Sequence, residues 1–130
     1  MQSLLPEGWP RPKGYANGIA TSGTQVFVAG QVGWHPTAGW QTDDFTAQVR
    51  QALENTMAVL AEAGARGEHI ARMTWYVTDK QAYLSNLREI GAVYGEIVGR
   101  NYPAMTLVEV TALVEDRALV EIETTAVVPD

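Results

Sequence analysis

Three glutamates in two strand-like runs near the C-terminus are the residues best suited to carry out chemistry. Glu109 lies in the apolar run Ala104–Val110, and Glu121 and Glu123 lie in Leu119–Val127. Both runs are rich in Val, Ile and Thr, which suit a pleated, half-buried surface. Burying a carboxylate is costly unless it is paired or hydrogen-bonded. These glutamates therefore either meet water or a partner, or serve a site.

These residues need a sheet to hold them, and the rest of the chain supplies other strands and two helices. Apolar residues alternate in three further segments, which is typical of half-buried strands. Two longer segments repeat apolar residues every three or four positions, which predicts amphipathic helices. The expected order is strand Tyr15–Ala20, strand Gln25–Val32 in a hairpin with the first, helix Phe45–Ala63, strand Ile70–Val77, a helix between Thr78-Asp79 and Gly99, and the two C-terminal strands.

Both predicted helices carry signals at their ends. Thr42-Asp43-Asp44 supplies capping oxygens for the first helix, and Gly64 is suited to end it. Thr78-Asp79 is expected to cap the second helix in the same way, and Gly99-Arg100 to end it. These signals set the expected boundaries of the helices.

The predicted order of elements, β-β-α-β-α-β-β, indicates a single α+β domain of two layers over residues 1–130. Two helices can cover one face of a sheet of this size, and no further helix remains for the other face. Because that face still carries apolar and aromatic side chains, the domain is expected to associate. Met1–Gly14, with three prolines and no periodicity, is predicted to be an extended lead-in.

The charge balance argues against nucleic acid as a partner. Nine Lys and Arg against fifteen Asp and Glu give a formal net charge of −6. An acidic chain repels phosphate backbones unless its cations gather in one patch. Along this sequence the basic residues are scattered, so no such patch is predicted.

Several other classes of site are excluded or not expected. The chain has no cysteine, which rules out disulfides and thiolate chemistry. His35 and His69 have no carboxylates beside them in a metal-ligand pattern, and no Gly-rich phosphate loop is present, so neither a metal nor a cofactor is expected. The N-terminal residues lack the pattern of a signal peptide, and no apolar run approaches the roughly 20 residues that span a bilayer. A cytoplasmic protein without a membrane segment is expected.

The C-terminal strands also carry a characteristic order of residues. Pro103-Ala104 is followed by Val108-Glu109-Val110, by Val120-Glu121-Ile122-Glu123 and by Ala126-Val127. With this order the chain resembles the RidA/YjgF (liver perchloric-acid-soluble protein) family along nearly its whole length. The resemblance implies a mixed sheet covered on one face by two helices, as in chorismate mutase. It also implies a homotrimer with a small-molecule pocket at each subunit boundary.

The resemblance further implies a reaction and the residues that carry it out. The family's deaminases hydrolyse the enamine or imine of a small 2-amino acid to a 2-keto acid and ammonia. By this match Glu121 orients the attacking water or carries a proton, and Tyr15 lines the pocket. The alternatives are that Glu121 pairs with Arg72 or Arg117 or is solvated, and that Tyr15 is an anchoring aromatic in the hairpin.

Two departures from the family pattern change the expected pocket. The arginine that follows Pro-Ala in the family deaminases, and binds the substrate carboxylate, is Met105 here; Thr106 and Leu107 continue that wall. A thioether cannot make the bidentate bond of a guanidinium. The segment Ala29-Gly30-Gln31 matches another wall of the family pocket, and Ala29 stands where the family usually has a serine. The pocket is therefore expected to persist with a more apolar character.

Arg88 on the second helix is a candidate replacement for the missing positive charge. Aligning Tyr94 with the aromatic end of the family's second helix places Arg88 where an asparagine often faces the pocket. The alternative is a solvated Arg88 that pairs with Glu89 or Glu96.

Two functions of different classes are consistent with these residues. The first is hydrolysis of a reactive enamine or imine other than the usual 2-imino acid. The second is a non-catalytic module that binds or senses an apolar or aromatic carboxylate or carbonyl metabolite. A third, the ribonuclease activity attached to some relatives, is disfavoured by the acidic charge balance.

Overall fold

The computed structural model describes residues 1–130 and contains six strands and three α-helices. The strands are β1 (Gln2–Leu4), β2 (Gly18–Ala20), β3 (Thr24–Val32), β4 (Ile70–Val77), β5 (Ala104–Glu109) and β6 (Val120–Val128). The helices are α1 (Phe45–Glu62), α2 (Lys80–Leu84) and α3 (Leu87–Ile97). None of them combines the length and the apolar character that a membrane crossing requires.

The main sheet has the strand order β3-β6-β4-β5. β4 and β5 are parallel and the other neighbours are antiparallel, so the sheet is mixed. Helices α1 and α3 pack over one face, and the core lies between them and the inward side chains of the strands. The predicted α+β fold of two layers is confirmed. The inward side chains of the two central strands are almost fully buried: Met73, Trp75, Val77, Val120, Ile122 and Ala126.

The first helix has the predicted boundaries. Asp44 caps it, with a carboxylate oxygen that accepts a 2.9 Å hydrogen bond from the Ala47 N–H. Gly64, at φ +69°, adopts the left-handed conformation just beyond the helix, which glycine reaches without strain. The local signals at both ends of this helix were therefore sufficient to define it.

The prediction of one continuous second helix is wrong, because the chain breaks between α2 and α3. Asp79 does cap the first piece, accepting from the Gln81 N–H at 2.9 Å. At Asn86, however, ψ is +24°, and the side-chain amide donates to the Ala82 carbonyl at 2.6 Å. Asn and Ser side chains compete with helical hydrogen bonds in this way. The Ser85-Asn86 pair therefore interrupts the helix although the apolar spacing continues across it.

The predicted N-terminal hairpin is also wrong. β2 pairs with β1, which lies inside the segment expected to be an extended lead-in, while β3 pairs with β6. The lead-in continues to the far edge of the main sheet, where the Ala16 N–H donates to the Pro103 carbonyl at 2.9 Å. Strand-like composition indicates that a segment can pair but does not select its partner.

Candidate functional site

A cavity of about 450 Å³ opens beside α3 and the edge strand β5. Its walls come from the lead-in, β4, β5, α2 and α3, and nine of its twelve lining residues are hydrophobic. This volume lies within the range of roughly 300–1,000 Å³ usual for small-molecule sites. The cavity is therefore suited to a ligand with an apolar body.

Residues 105 and 107 reach this cavity because they lie on the covered face of the sheet. Met105 is in register with Met73 and Leu107 with Trp75, and both partners belong to the core. Side chains directly opposite each other on neighbouring strands share a face. Tyr15, which directly follows the lead-in, lines the same cavity. Three of the residues predicted from the sequence are thus brought together.

Aromatic rings form much of the cavity wall. Tyr83 meets Trp75 edge to face with ring centroids 6.2 Å apart, and Tyr94 stacks on Tyr102 at 6.1 Å. Burial raises the pKa values of Tyr83 and Tyr94 above the ordinary value of a tyrosine. The Tyr94 hydroxyl donates to the Asn101 carbonyl at 2.6 Å.

The buried indole N–H of Trp75 has no acceptor within the chain. Trp75 also lines the cavity, but its N–H is buried and not exposed there.

A second group of predicted residues lies on the uncovered face of the sheet. The Glu121 carboxylate lies directly over Gly30, where a Cβ atom would overlap the Glu121 Oε2. Glycine at residue 30 is thus required for this close approach. Ala29 is exposed beside it, and the Gln31 side-chain amide donates to the Ala29 carbonyl at 3.2 Å.

A single chain does not bring the cavity residues Met105 and Leu107 together with the group around Glu121. Met105 and Leu107 lie on β5 under the helices, whereas Glu121 lies on β6 on the opposite face. Two strand spacings separate β5 from β6, or roughly 10 Å. Thr106 is exposed on the uncovered face, away from the cavity. Arg88 is exposed and does not line the cavity.

Three cations that the sequence did not single out lie around the cavity. Lys13 lines it. An adjoining groove, which shares Tyr15 and Tyr102 with the cavity, is lined by Arg11 and Arg100. Neither the cavity nor the groove has a carboxylate in its lining. Arg11 and Lys13 are close in sequence, but the sequence did not indicate that Arg100 lines the same groove as Arg11.

The two histidines have local roles. The Nδ1 atom of His35 accepts from the Ala38 N–H at 3.0 Å, and that of His69 accepts from the Arg66 N–H at 2.9 Å. Each ring therefore closes a turn within its own loop.

Comparison with known families identifies the relatives of this chain. A model of the family described as endoribonuclease L-PSP matches residues 10–128. The chain belongs to this family, also known as Rid or YjgF. The resemblance seen in the C-terminal strands is thereby confirmed along most of the chain.

Relatives of this Rid chain include a named enzyme and solved structures. The 2-iminobutanoate/2-iminopropanoate deaminase of Salmonella typhimurium is 33% identical over 130 residues, covering 97% of each chain. The crystal structure of YyfB from Yersinia pestis, a Rid protein of unknown function, matches with a TM-score of 0.84 at 30% identity, covering 98% of each chain. The structure of TdcF from E. coli with bound serine matches with a TM-score of 0.69 at 30% identity, covering 98% of this chain and 99% of TdcF.

Proposed function

We propose that this Rid protein hydrolyses an enamine or imine with an apolar or aromatic side chain, in a site completed by a second copy of the chain. This proposal rests on the aromatic cavity. Met105 lines the cavity at the position where the family's deaminases are expected to have an arginine. A small 2-imino acid would lose its bidentate anchor there. A larger apolar substrate would gain burial against Trp75 and Tyr83.

A site shared between two copies of the chain is supported by the separation of the cavity residues from Glu121. Glu121 and Gly30 lie on the uncovered face, so a neighbouring copy is needed to carry them to the cavity. That face exposes Phe27 at 72% and Val108 at 39%, apolar area that association would bury.

We expect a homotrimer, as the resemblance implies. Sedimentation equilibrium should give three times the mass of one chain; a stable monomer would contradict the shared site.

The proposed reaction needs only water, a general base and a pocket that orients the substrate. Water adds to the carbon of the C=N bond while the Glu121 carboxylate accepts one of its protons. Glu121 returns this proton to nitrogen, which gives the carbinolamine. The hydroxyl proton of the carbinolamine then passes through Glu121 to nitrogen, the C–N bond breaks, and ammonia leaves as the C=O bond forms. An enamine enters the same route after it takes up a proton on carbon and loses one from nitrogen to become the imine. Tyr15 lines the site and can donate a hydrogen bond to the substrate.

The proposal is tested by release of the keto acid from freshly generated imines. We expect the protein to accelerate hydrolysis of the imine formed by oxidation of phenylalanine, and to act weakly on 2-iminobutanoate. No acceleration over buffer with either imine would contradict hydrolase activity.

Met105→Arg is expected to raise kcat/KM for 2-iminobutanoate by at least about tenfold, because a charge-assisted bidentate pair contributes on the order of 2–5 kcal/mol when buried. Met105→Leu is the matched apolar control and should leave that value within about twofold. Equal effects of the two variants would show that residue 105 does not contact the substrate carboxylate.

A non-catalytic binding module is the second candidate. It is favoured by the apolar cavity that one chain already forms without Glu121. Because Trp75 lines this cavity, ligand binding should change the tryptophan fluorescence. Saturable quenching by an aromatic ligand, without turnover of any imine, would favour this candidate. Ribonuclease activity is not proposed, because the net charge of −6 opposes binding of a phosphate backbone.

A further inference from the structure

We infer that Lys13 binds the acid group of an anionic ligand whose apolar body occupies the cavity. The inference rests on the proposed function in taking this cavity as the ligand site. Lys13 is the only charged side chain in the lining, and it forms no ion pair or side-chain hydrogen bond within the chain. An ammonium group held beside an apolar cavity without a partner is available to a ligand anion.

The surroundings of Lys13 strengthen the attraction for an anion. Arg11 and Arg100 line the adjoining groove, and neither forms an ion pair. No carboxylate lines the cavity or the groove, although the whole chain has a net charge of −6. Arg11 and Arg100 in the adjoining groove therefore add positive potential near Lys13, which favours an anion there.

The lead-in brings Lys13 to the same cavity as Met105. The chain is tied to the sheet edge at the hydrogen bond from Ala16 to Pro103, two residues before Met105. Gly14, at φ +76°, turns the backbone between Lys13 and that tie. Lys13 and Met105 therefore contribute to one cavity from separate segments of chain.

This placement determines the class of ligand. The flexible stem of a lysine allows its ammonium group to meet a carboxylate at the rim, without the fixed geometry of a guanidinium. The body of the ligand then extends inward to Trp75 and Tyr83, which favours an aromatic ring. The preferred ligand is an arylalkyl carboxylate, such as a 2-imino or 2-oxo acid with a benzyl side chain.

The test compares 3-phenylpropanoate with 3-phenylpropanamide, which have the same shape and differ in charge. We expect calorimetric titration of the full-length protein to show about tenfold tighter binding of the acid, the scale of one charge-assisted contact. Lys13→Gln should remove this preference while affinity for the amide stays within about twofold. Lys13→Arg should keep the preference for the acid, and circular dichroism should show that each variant is folded.

Lys80 supplies the matched control, because it is the only other lysine in the chain and lines neither the cavity nor the groove. Lys80→Gln should keep the acid preference of the original protein. An unchanged preference in Lys13→Gln, or an equal loss in Lys80→Gln, would overturn the role of Lys13.

The outcomes also separate this inference from the proposed function. Binding of both probes without a preference for the acid would overturn the role of Lys13 and leave the cavity as the ligand site. Failure of both probes to bind would overturn both.

Discussion

Glu121→Gln is expected to lower kcat for imine hydrolysis by about 10²–10⁴-fold, the usual contribution of a positioned general base. The amide has the shape of the carboxylate but cannot accept a proton from the attacking water. Because the cavity holds the substrate body independently of Glu121, KM should change much less than kcat. Measurement of the initial rate of keto acid release over a range of imine concentrations separates the two constants.

Glu123 offers a control on the same strand and the same face. Its carboxylate accepts a 2.7 Å hydrogen bond from the Tyr76 hydroxyl, and this bond is the main cause of the raised pKa of Tyr76. It is thus already engaged within the sheet. Glu123→Gln should keep kcat within about threefold, as expected for a residue outside the reaction. Similar losses in both glutamine variants would contradict a specific role for Glu121.

Gly30→Ala tests the position of the carboxylate without removing it. A Cβ atom at residue 30 would overlap Oε2 of Glu121, so the side chain must turn away. Since small misplacements of a catalytic group cost as much as about 10²-fold, we expect kcat to fall by up to that factor. An unchanged kcat would show that Glu121 does not act from the position it has in this structure.

Gln48→Ala is expected to lower the free energy of unfolding by about 3–5 kcal/mol, the effect of breaking a buried hydrogen-bond network. Gln48 is fully buried on α1. Its amide nitrogen donates to the carbonyls of Thr42 at 3.1 Å and Arg117 at 3.0 Å, and its oxygen accepts from the Leu119 N–H at 2.8 Å. Without Gln48, these part-buried backbone groups of two loops would lose their partner.

Urea denaturation followed by circular dichroism measures this change. Gln81→Ala is the control, because Gln81 is exposed on α2 and its side chain forms no hydrogen bond within the chain; its effect should stay within about 0.5 kcal/mol. Equal effects of the two substitutions would show that the buried network does not contribute to stability. Loss of the folded state in Gln48→Ala would agree with a contribution at or above the expected range.

The parts of the fold predicted correctly depend on neighbours in sequence. The cap at Asp44 and the glycine at residue 64 set the ends of α1 because the groups they satisfy lie within one helical turn. Alternation set the faces of Ile70–Val77 and placed Met105 and Leu107 together, because successive side chains in a strand point to opposite sides. These features follow from local geometry and need no information about the rest of the chain.

The partner of each strand and the composition of the cavity depend on contacts between distant segments. β2 pairs with β1 and not with β3, and Lys13 reaches the cavity only because the lead-in is bound to the edge of β5. Backbone hydrogen-bonding groups are the same in every residue, so sequence pattern alone does not select among possible partners.

The sequence by itself determined the family, the two-layer α+β fold and the presence of a methionine at residue 105. Only the tertiary structure decided that Glu121 and Met105 lie on opposite faces of one sheet, and that three cations gather beside the cavity. The physical reason is that family and fold are encoded in local pattern, whereas a site is assembled from residues that folding brings together from separate parts of the chain.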